Sequence, residues 1–203
     1  ERFGGQKAKF APGKDTSGEW WELPGGTESP TELWLVEGIF DAIALEHHGI
    51  AARSVMSCNN YPEKALGRLR AAAEAAGKPL PSLVWALDGD KAGQEYAVRW
   101  NKRAKEDGWK SSAAMIPSKG RNKQDWNDAH LRGKLAPKDR ELYRYEGSLL
   151  VAATASEKAR LIYNHTGRAA FHFGHDHRLY WYSYNETAYN EAKDQLSKAG
   201  REL

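Results

Sequence analysis

The chain has 203 residues, a formal net charge of +3, 40% hydrophobic and 28% charged residues, and one cysteine, Cys58. This length accommodates one sizeable α/β domain with a smaller appendage, and the composition excludes a disordered polypeptide. A single cysteine excludes an internal disulfide and a multi-cysteine zinc site, and the absence of an apolar run of about 20 residues excludes a membrane helix, so we expect a cytoplasmic protein.

The first 31 residues are rich in Gly, Lys, Pro and Ser and predict a lead-in segment with one or two short strands. From Leu33 onward, short apolar runs alternate with longer helical stretches, which is typical of βα units in a mainly parallel sheet. Four strands are predicted in this part, at residues 33–36, 52–56, 83–87 and 112–116.

Helical stretches with Gly or Pro at their ends separate the predicted strands. In the first helix, the apolar residues Ile39, Phe40, Ile43 and Ala44 are expected on the inner face. A short helix is predicted at 125–131, beyond a basic loop, and the domain is expected to end near Leu135.

The remainder of the chain predicts a small helix and hairpin region after a charged connector. The expected elements are a helix at 156–163, two hairpin strands at 169–173 and 179–184, and a final helix at 188–199. We therefore divide the chain into a lead-in at 1–31, an α/β domain at 32–135 and a C-terminal region at 136–203.

Acidic residues follow directly after two of the predicted strands. Glu37 follows the first strand, and Asp88 and Asp90 follow the third. Parallel strands end at the same edge of a sheet, where open α/β sheets bind ligands, so we expect these side chains to lie together. Three further acids are expected to approach this edge: Asp41, Asp125 and Asp128.

Clustered carboxylates repel one another unless a cation lies among them, and an all-oxygen set favours Mg²⁺ or Mn²⁺ over zinc. Bound Mg²⁺ keeps coordination positions for water and phosphate oxygens, which indicates phosphate chemistry.

The Asp-Gly-Asp tripeptide has other possible interpretations. Taken by itself, such a tripeptide most often forms a turn. An EF-hand starting at Asp88 is excluded, because Ala92 and Arg99 stand where oxygen ligands are required. A phosphoaspartate-forming phosphatase is disfavoured, because no Ser or Thr follows the acids.

Two motifs occur in order, each behind a predicted strand. Residues 36–45 read Val-Glu-Gly-Ile-Phe-Asp-Ala-Ile-Ala-Leu, and residues 86–93 read Ala-Leu-Asp-Gly-Asp-Lys-Ala-Gly. Together they resemble the TOPRIM domain of bacterial primases, type IA and type II topoisomerases and some nucleases, and most of all its primase branch. Residues 123–128, Lys-Gln-Asp-Trp-Asn-Asp, are similar to the third acidic motif of primase-helicases from phages and mobile elements, except that Gln124 interrupts a Lys-Asp pair.

The resemblance implies a four-stranded parallel sheet between helices and a magnesium or manganese site. It implies that Glu37 is the acid/base or metal-site glutamate and that Asp88 and Asp90 are catalytic metal ligands. Asp41 is placed with the catalytic residues, and Asp125 and Asp128 with the metal-binding residues. Because the chain begins at Glu1 rather than at methionine, we expect a piece of a longer replication protein.

The implied function is metal-dependent nucleotidyl transfer on a single-stranded DNA template, with nucleoside triphosphates as substrates and a helicase domain or subunit as partner. The sequence leaves open whether the fragment is active, weak or inactive alone. The alternatives are a TOPRIM nuclease, which uses water as the nucleophile, and a catalytically inactive nucleic-acid-binding or assembly module. Candidate contacts to the nucleic acid backbone are the basic residues that flank the acidic edge: Lys91, Lys119, Arg121 and Lys123.

Other aromatic and histidine residues are given structural roles. For Trp126, packing is favoured over stacking on a base. His172, His175 and His177 are expected at the surface, because no cysteine accompanies them and they partly alternate faces of the hairpin.

Overall fold

The computed structural model of the chain describes residues 15–27, 29–116, 124–166, 170–173 and 179–182. Seven strands and six helices lie in these ranges. In chain order they are β1 (Trp21–Glu22), β2 (Glu32–Val36), α1 (Ile39–His47), β3 (Ala52–Ser54), α2 (Glu63–Ala75), β4 (Ser82–Ala86), α3 (Lys91–Glu106), β5 (Ser111–Ala113), α4 (Trp126–Leu131), α5 (Pro137–Val151), α6 (Ala155–Thr166), β6 (Ala170–Phe173) and β7 (Leu179–Tyr182).

Five strands form the central sheet, in the order β1-β3-β2-β4-β5. The pairs β3-β2, β2-β4 and β4-β5 are parallel, and β1 joins the edge antiparallel to β3. The predicted α/β class and the four parallel strands are confirmed. The lead-in segment adds the fifth strand, because Trp21 and Glu22 pair with Ser54 and Arg53.

The two central strands are buried on both faces, which explains their unbroken apolar sequences. Leu33 and Leu35 of β2 face a core shared with α2 and α3. Trp34 and Val36, which alternate with them, face a second core that contains residues of α1, α4 and α5. The helices therefore cover both faces of the sheet, and the strand ends are left for the site.

The predicted inner face of α1 is wrong in part. Phe40 is 73% exposed and Ile43 is 37% exposed, whereas Asp41, Ala42 and Leu45 are buried. The helix is turned so that the Asp41 carboxylate faces inward, where it accepts hydrogen bonds from backbone N–H groups. A polar interaction thus decides the orientation of a helix that its apolar pattern alone places differently.

The charged connector predicted before the C-terminal helix is wrong over residues 137–151, which form α5. Pro137 occupies the first turn of this helix, a position that tolerates the missing N–H. The Tyr143 side chain lies in the second core, and the Tyr143 carbonyl accepts a hydrogen bond from the Met115 N–H, just past β5. This helix therefore packs on the sheet.

The helix predicted at 156–163 is confirmed as α6. The two predicted hairpin strands are confirmed as the antiparallel pair β6-β7, in which Phe171 pairs with Trp181. The hairpin turn and the helix predicted at 188–199 lie outside the described residues, as do His175 and His177. Among the described helices, none combines the length and apolar character needed to cross a membrane.

Two helical glycines give a matched test of the packing of α5. A Cβ added at Gly147 meets the Ala113 carbonyl oxygen at 2.3 Å, whereas a Cβ at Gly67 of α2 meets nothing within 4 Å. Gly147→Ala is expected to lower the free energy of unfolding by about 1–3 kcal/mol, the usual cost of overpacking. Gly67→Ala is expected to raise it by roughly 0.4–1 kcal/mol, because alanine restricts the unfolded chain. Urea unfolding measures both, and equal effects would contradict the packing of α5 on β5.

Candidate metal centre at the carboxyl edge of the sheet

The ends of β2 and β4 bring the two acidic motifs side by side. Val36, the last residue of β2, pairs with Ala86, the last residue of β4. Glu37 comes one residue after the first of these and Asp88 two residues after the second. The Ser54 hydroxyl, at the end of β3, donates a hydrogen bond of 2.8 Å to the Glu37 carbonyl oxygen. Three parallel strands thus fix the backbone from which these acids emerge.

Asp88 lies at the centre of the negative charge. Burial, the largest cause, raises the pKa of Asp88 to about 7, and further increases come from the charges of Glu37, Asp41, Asp125 and Asp90. The Asp88 Oδ1 atom is buried and has no hydrogen-bond partner among the described residues. An unpaired buried carboxylate oxygen is costly unless a cation is near, so this atom is suited to contact a positive ion.

Cys58 lies close to the same acids. Burial raises the pKa of the Cys58 thiol first, and Glu37, Asp90 and Asp88 then raise it further. These three carboxylates therefore act together on a second group. The structure brings Glu37, Asp88 and Asp90 into one electrostatic neighbourhood.

The Asp-Gly-Asp motif is held in a turn that only glycine fits. A Cβ on Gly89 would lie 2.4 Å from the Ile116 carbonyl oxygen, and a Cβ on Gly93 would lie 2.1 Å from the Asp88 carbonyl oxygen. Asp90 caps α3 by accepting a 2.9 Å hydrogen bond from the Gly93 N–H. The Gln94 amide donates a 2.9 Å hydrogen bond to the Gly89 carbonyl. These contacts set the direction in which Asp88 and Asp90 leave the backbone.

Asp41 joins the first motif to α4. Its Oδ2 accepts a hydrogen bond of 3.1 Å from the Gly38 N–H, and its Oδ1 accepts one of 2.9 Å from the Asn127 N–H. Burial raises the pKa of Asp41 to about 6, although the hydrogen bond from Asn127 acts in the opposite direction. Both oxygens of Asp41 are thus engaged by backbone N–H groups, and the residue fixes the start of α4 against α1.

The third acidic segment is anchored by Trp126. Its side chain is fully buried, and the indole N–H donates a 2.6 Å hydrogen bond to the Ala86 carbonyl at the end of β4. The expected packing role of Trp126 is confirmed. Asp125 caps α4 by accepting a 2.7 Å hydrogen bond from the Asp128 N–H. Asp125 also belongs to the charges around Asp88, whereas a metal-binding role for Asp128 stays a prediction.

Of the candidate nucleic-acid contacts, Lys91 is described. Its ammonium lies 3.8 Å from Glu95 on the outside of α3, and its side chain is 91% exposed. Lys119, Arg121 and Lys123 lie outside the described residues.

The donor set fits a hard divalent cation. Within the described part of the chain, no three histidine, cysteine or acidic side chains are arranged to hold a metal ion by themselves. Mg²⁺ does not need such an arrangement, because it commonly binds one or two carboxylates and completes its shell with water and phosphate oxygens. The buried Asp88 Oδ1, with the surrounding carboxylates, meets that smaller requirement.

Sequence reasoning missed two residues that position the motifs, Ser54 and Gln94. Ser54 hardly differs from an ordinary strand serine, although its place at the end of a strand could have indicated a contact to the neighbouring loop. Gln94 follows the second motif by one residue, and its reach back to Gly89 depends on the tight turn. Beyond the position of Ser54 at the end of a strand, neither contact leaves a pattern in the sequence.

A comparison with protein-family models agrees with the resemblance. A family model described as Toprim-like matches residues 34–130. Among solved structures, the RNA polymerase domain of the primase DnaG from Mycobacterium tuberculosis matches at a TM-score of 0.46 and 19% identity, over 83% of this chain and 51% of that one. The chain thus spans about half the length of that structure. No curated protein gives a significant match.

The charge at Asp88 predicts how stability changes with pH in metal-free buffer. The pKa of Asp88 rises from 3.8 to about 7 on folding, so its contribution to stability is full below about pH 4 and is lost as the pH rises towards 7. Asp88→Asn is therefore expected to stabilise the metal-free protein at pH 8, by on the order of 1–3 kcal/mol after allowance for partial exposure, and to give no gain at pH 4.

Urea unfolding at the two pH values, in the presence of a chelator, measures this difference. Glu106→Gln, at an exposed acid of α3 paired with Lys102, is the matched control and is expected to change little at either pH. Equal stability of the wild type and Asp88→Asn at pH 8 would show that burial and the neighbouring carboxylates do not disfavour the Asp88 charge as described.

Proposed function

We propose that residues 34–130, which match a family model described as Toprim-like, catalyse metal-dependent nucleotidyl transfer on a single-stranded DNA template, as the primase catalytic core of a larger replication protein. The observation that carries the proposal is the buried Oδ1 of Asp88, which has no hydrogen-bond partner in the described part of the chain and lies among four further carboxylates. The order and wording of the two acidic motifs, Glu-Gly-x-x-Asp and Asp-Gly-Asp-x-Ala-Gly, support the primase type over other TOPRIM enzymes.

In this proposal, Asp88 and Asp90 hold one or two Mg²⁺ or Mn²⁺ ions, and Glu37 shares the site. Bound there, the cation supplies positive charge that orients and neutralises the phosphate oxygens of an incoming nucleoside triphosphate. Asp125 and Asp128 stand as supporting acids. Asp41, whose oxygens are engaged by the Gly38 and Asn127 N–H groups, acts as a positioning residue.

The proposed reaction is a displacement at the α-phosphorus. The 3′-oxygen of the growing strand forms the new P–O bond, the bond from the α-phosphorus to the pyrophosphate oxygen breaks, and pyrophosphate leaves. Glu37 accepts the proton of the attacking 3′-hydroxyl. Because Ser54 holds the Glu37 backbone, the carboxylate is presented from a fixed position rather than from a mobile loop.

The template is proposed to contact the basic residues that the sequence offers for this role. The positive charge that attracts the phosphate backbone of the template is proposed to come from four residues: Lys91, Lys119, Arg121 and Lys123. DNA binding is therefore expected to weaken as the salt concentration rises. A helicase domain or subunit is the proposed partner, since a primase on a replication protein needs unwound template.

A primer-synthesis assay tests the proposal. The protein is incubated with single-stranded DNA, nucleoside triphosphates and Mg²⁺ or Mn²⁺, and new oligonucleotides are resolved on a gel. Glu37→Gln is expected to reduce synthesis by about 10²–10⁴-fold, the usual contribution of a positioned acid or base, and Asp90→Asn to abolish it. Glu106→Gln, at the exposed last residue of α3, is the matched control and is expected to retain synthesis.

The products distinguish the proposal from its alternatives. Template shortened by the wild type and left intact by Glu37→Gln would replace primase with a TOPRIM nuclease. Binding of single-stranded DNA that needs no metal, with neither synthesis nor cleavage, would instead indicate an inactive binding or assembly module. Equal synthesis by the wild type and Glu37→Gln would remove Glu37 from the mechanism.

A further inference from the structure

Three histidines meet at the ends of α1 and α4, among residues that the proposed function does not use. His47 is the last residue of α1, His48 caps that helix, and His130 lies in the last turn of α4. The ring centroids are 5.4 Å apart for His47 and His48, and 5.2 Å apart for each of these with His130. The His48 Nε2 and His130 Nδ1 atoms are 3.0 Å apart.

These separations match those of imidazoles that share one metal ion. With a zinc to nitrogen distance of about 2.0–2.1 Å and tetrahedral angles, two ligating nitrogens lie roughly 3.3–3.4 Å apart and their ring centroids roughly 5 Å apart. The centroids of all three pairs already meet this condition. The nitrogens of His48 and His130 need to separate by only a few tenths of an ångström to admit an ion.

We propose that His48, His130 and His47 form a binding site for a borderline divalent transition metal, such as Zn²⁺ or Co²⁺, apart from the acidic edge of the sheet. His48 and His130 supply two converging nitrogens, and His47 supplies the third after a rotation of its ring. The rotation is necessary, because the described side chains enclose no ion as they stand. Since His47 and His48 are exposed, it requires no change in the core.

The groups around the three histidines both favour and oppose the binding of a cation. Burial lowers the pKa of His48 first, followed by His130, His47 and Arg140, which favours the neutral imidazole that a metal requires. One of the two facing nitrogens carries the proton of the His48–His130 hydrogen bond, and metal binding requires that this proton move to the other nitrogen of its ring. The carboxyl end of α1 adds partial negative charge, which favours a cation. Arg140 opposes a cation and limits its affinity.

A metal at this position would join the far ends of α1 and α4. Nearer the acidic edge, the two helices are already joined by the hydrogen bond from the Asn127 N–H to Asp41. A second connection would hold α4 at both ends, and with it Asp125. The bound metal would therefore act as a structural cross-link between α1 and α4. This role does not depend on whether the acidic edge is catalytically active.

Cobalt substitution tests the proposal. Co²⁺ in a four-coordinate site rich in nitrogen absorbs visible light strongly, whereas Co²⁺ held by carboxylates and water in six coordination absorbs weakly. The titration uses the Asp88→Asn protein, in which the acidic site is weakened, followed by displacement of Co²⁺ with Zn²⁺. A strong visible band and a Zn²⁺-dependent rise in Tm are the expected results.

Ligand variants on the same background assign the band. His130→Gln and His48→Gln are each expected to weaken Zn²⁺ binding by more than about tenfold, since even the loss of an outer partner of a metal ligand costs 10–100-fold. His165→Gln, which changes a histidine stacked on Tyr145, is the matched control and is expected to leave binding unchanged.

Circular dichroism checks that each variant is folded. A band that persists at full strength in folded His130→Gln, or the absence of a strong band in the parent protein, would overturn the proposal. If His47→Gln alone leaves binding unchanged, the three-histidine arrangement is also wrong. None of these results depends on primer synthesis, so failure here and failure of the proposed enzyme are separate outcomes.

Discussion

The parallel pairing of β2 with β4 is the constraint on which the site depends. Its register sets Val36 opposite Ala86, and both acidic motifs begin within two residues of that pair. The strands are buried on both faces, so a slip of one residue would move every side chain into the opposite core, where the neighbouring side chains do not fit it. The hydrophobic cores thereby fix the spacing of charged groups that no favourable interaction among themselves would bring together.

Hydrogen bonds then fix the third acidic segment relative to the two motifs that the strand register positions. Asp41 binds the start of α4, and Trp126 binds the end of β4, so the third segment is tied to both of the others. The electrostatic free-energy cost of bringing these acids together falls mainly on Asp88, whose pKa rises because it is buried among like charges. Sites in which burial and like charges act on one group are common where chemistry is performed, and this one lies at the edge where such sheets bind ligands.

The sequence was sufficient for the features that leave a local pattern. The strands were recognisable from unbroken apolar runs, and the acids from their position directly after them. The orientation of α1 was not, because a buried carboxylate outweighs the apolar residues Phe40 and Ile43. Nor was α5 recognised, since charged residues dominate its first half and its close approach to β5 depends on Gly147. The roles of Ser54 and Gln94 arise from tertiary contacts alone.

Both edge strands of the central sheet are short. β1 contributes two residues at one margin and β5 three at the other, and α5 takes up backbone hydrogen bonding just beyond β5. A strand from another molecule would find little free backbone to pair with there, which discourages growth of the sheet from one chain to the next. A domain so closed at its sides can be joined to neighbouring domains through its termini without aggregating through its sheet.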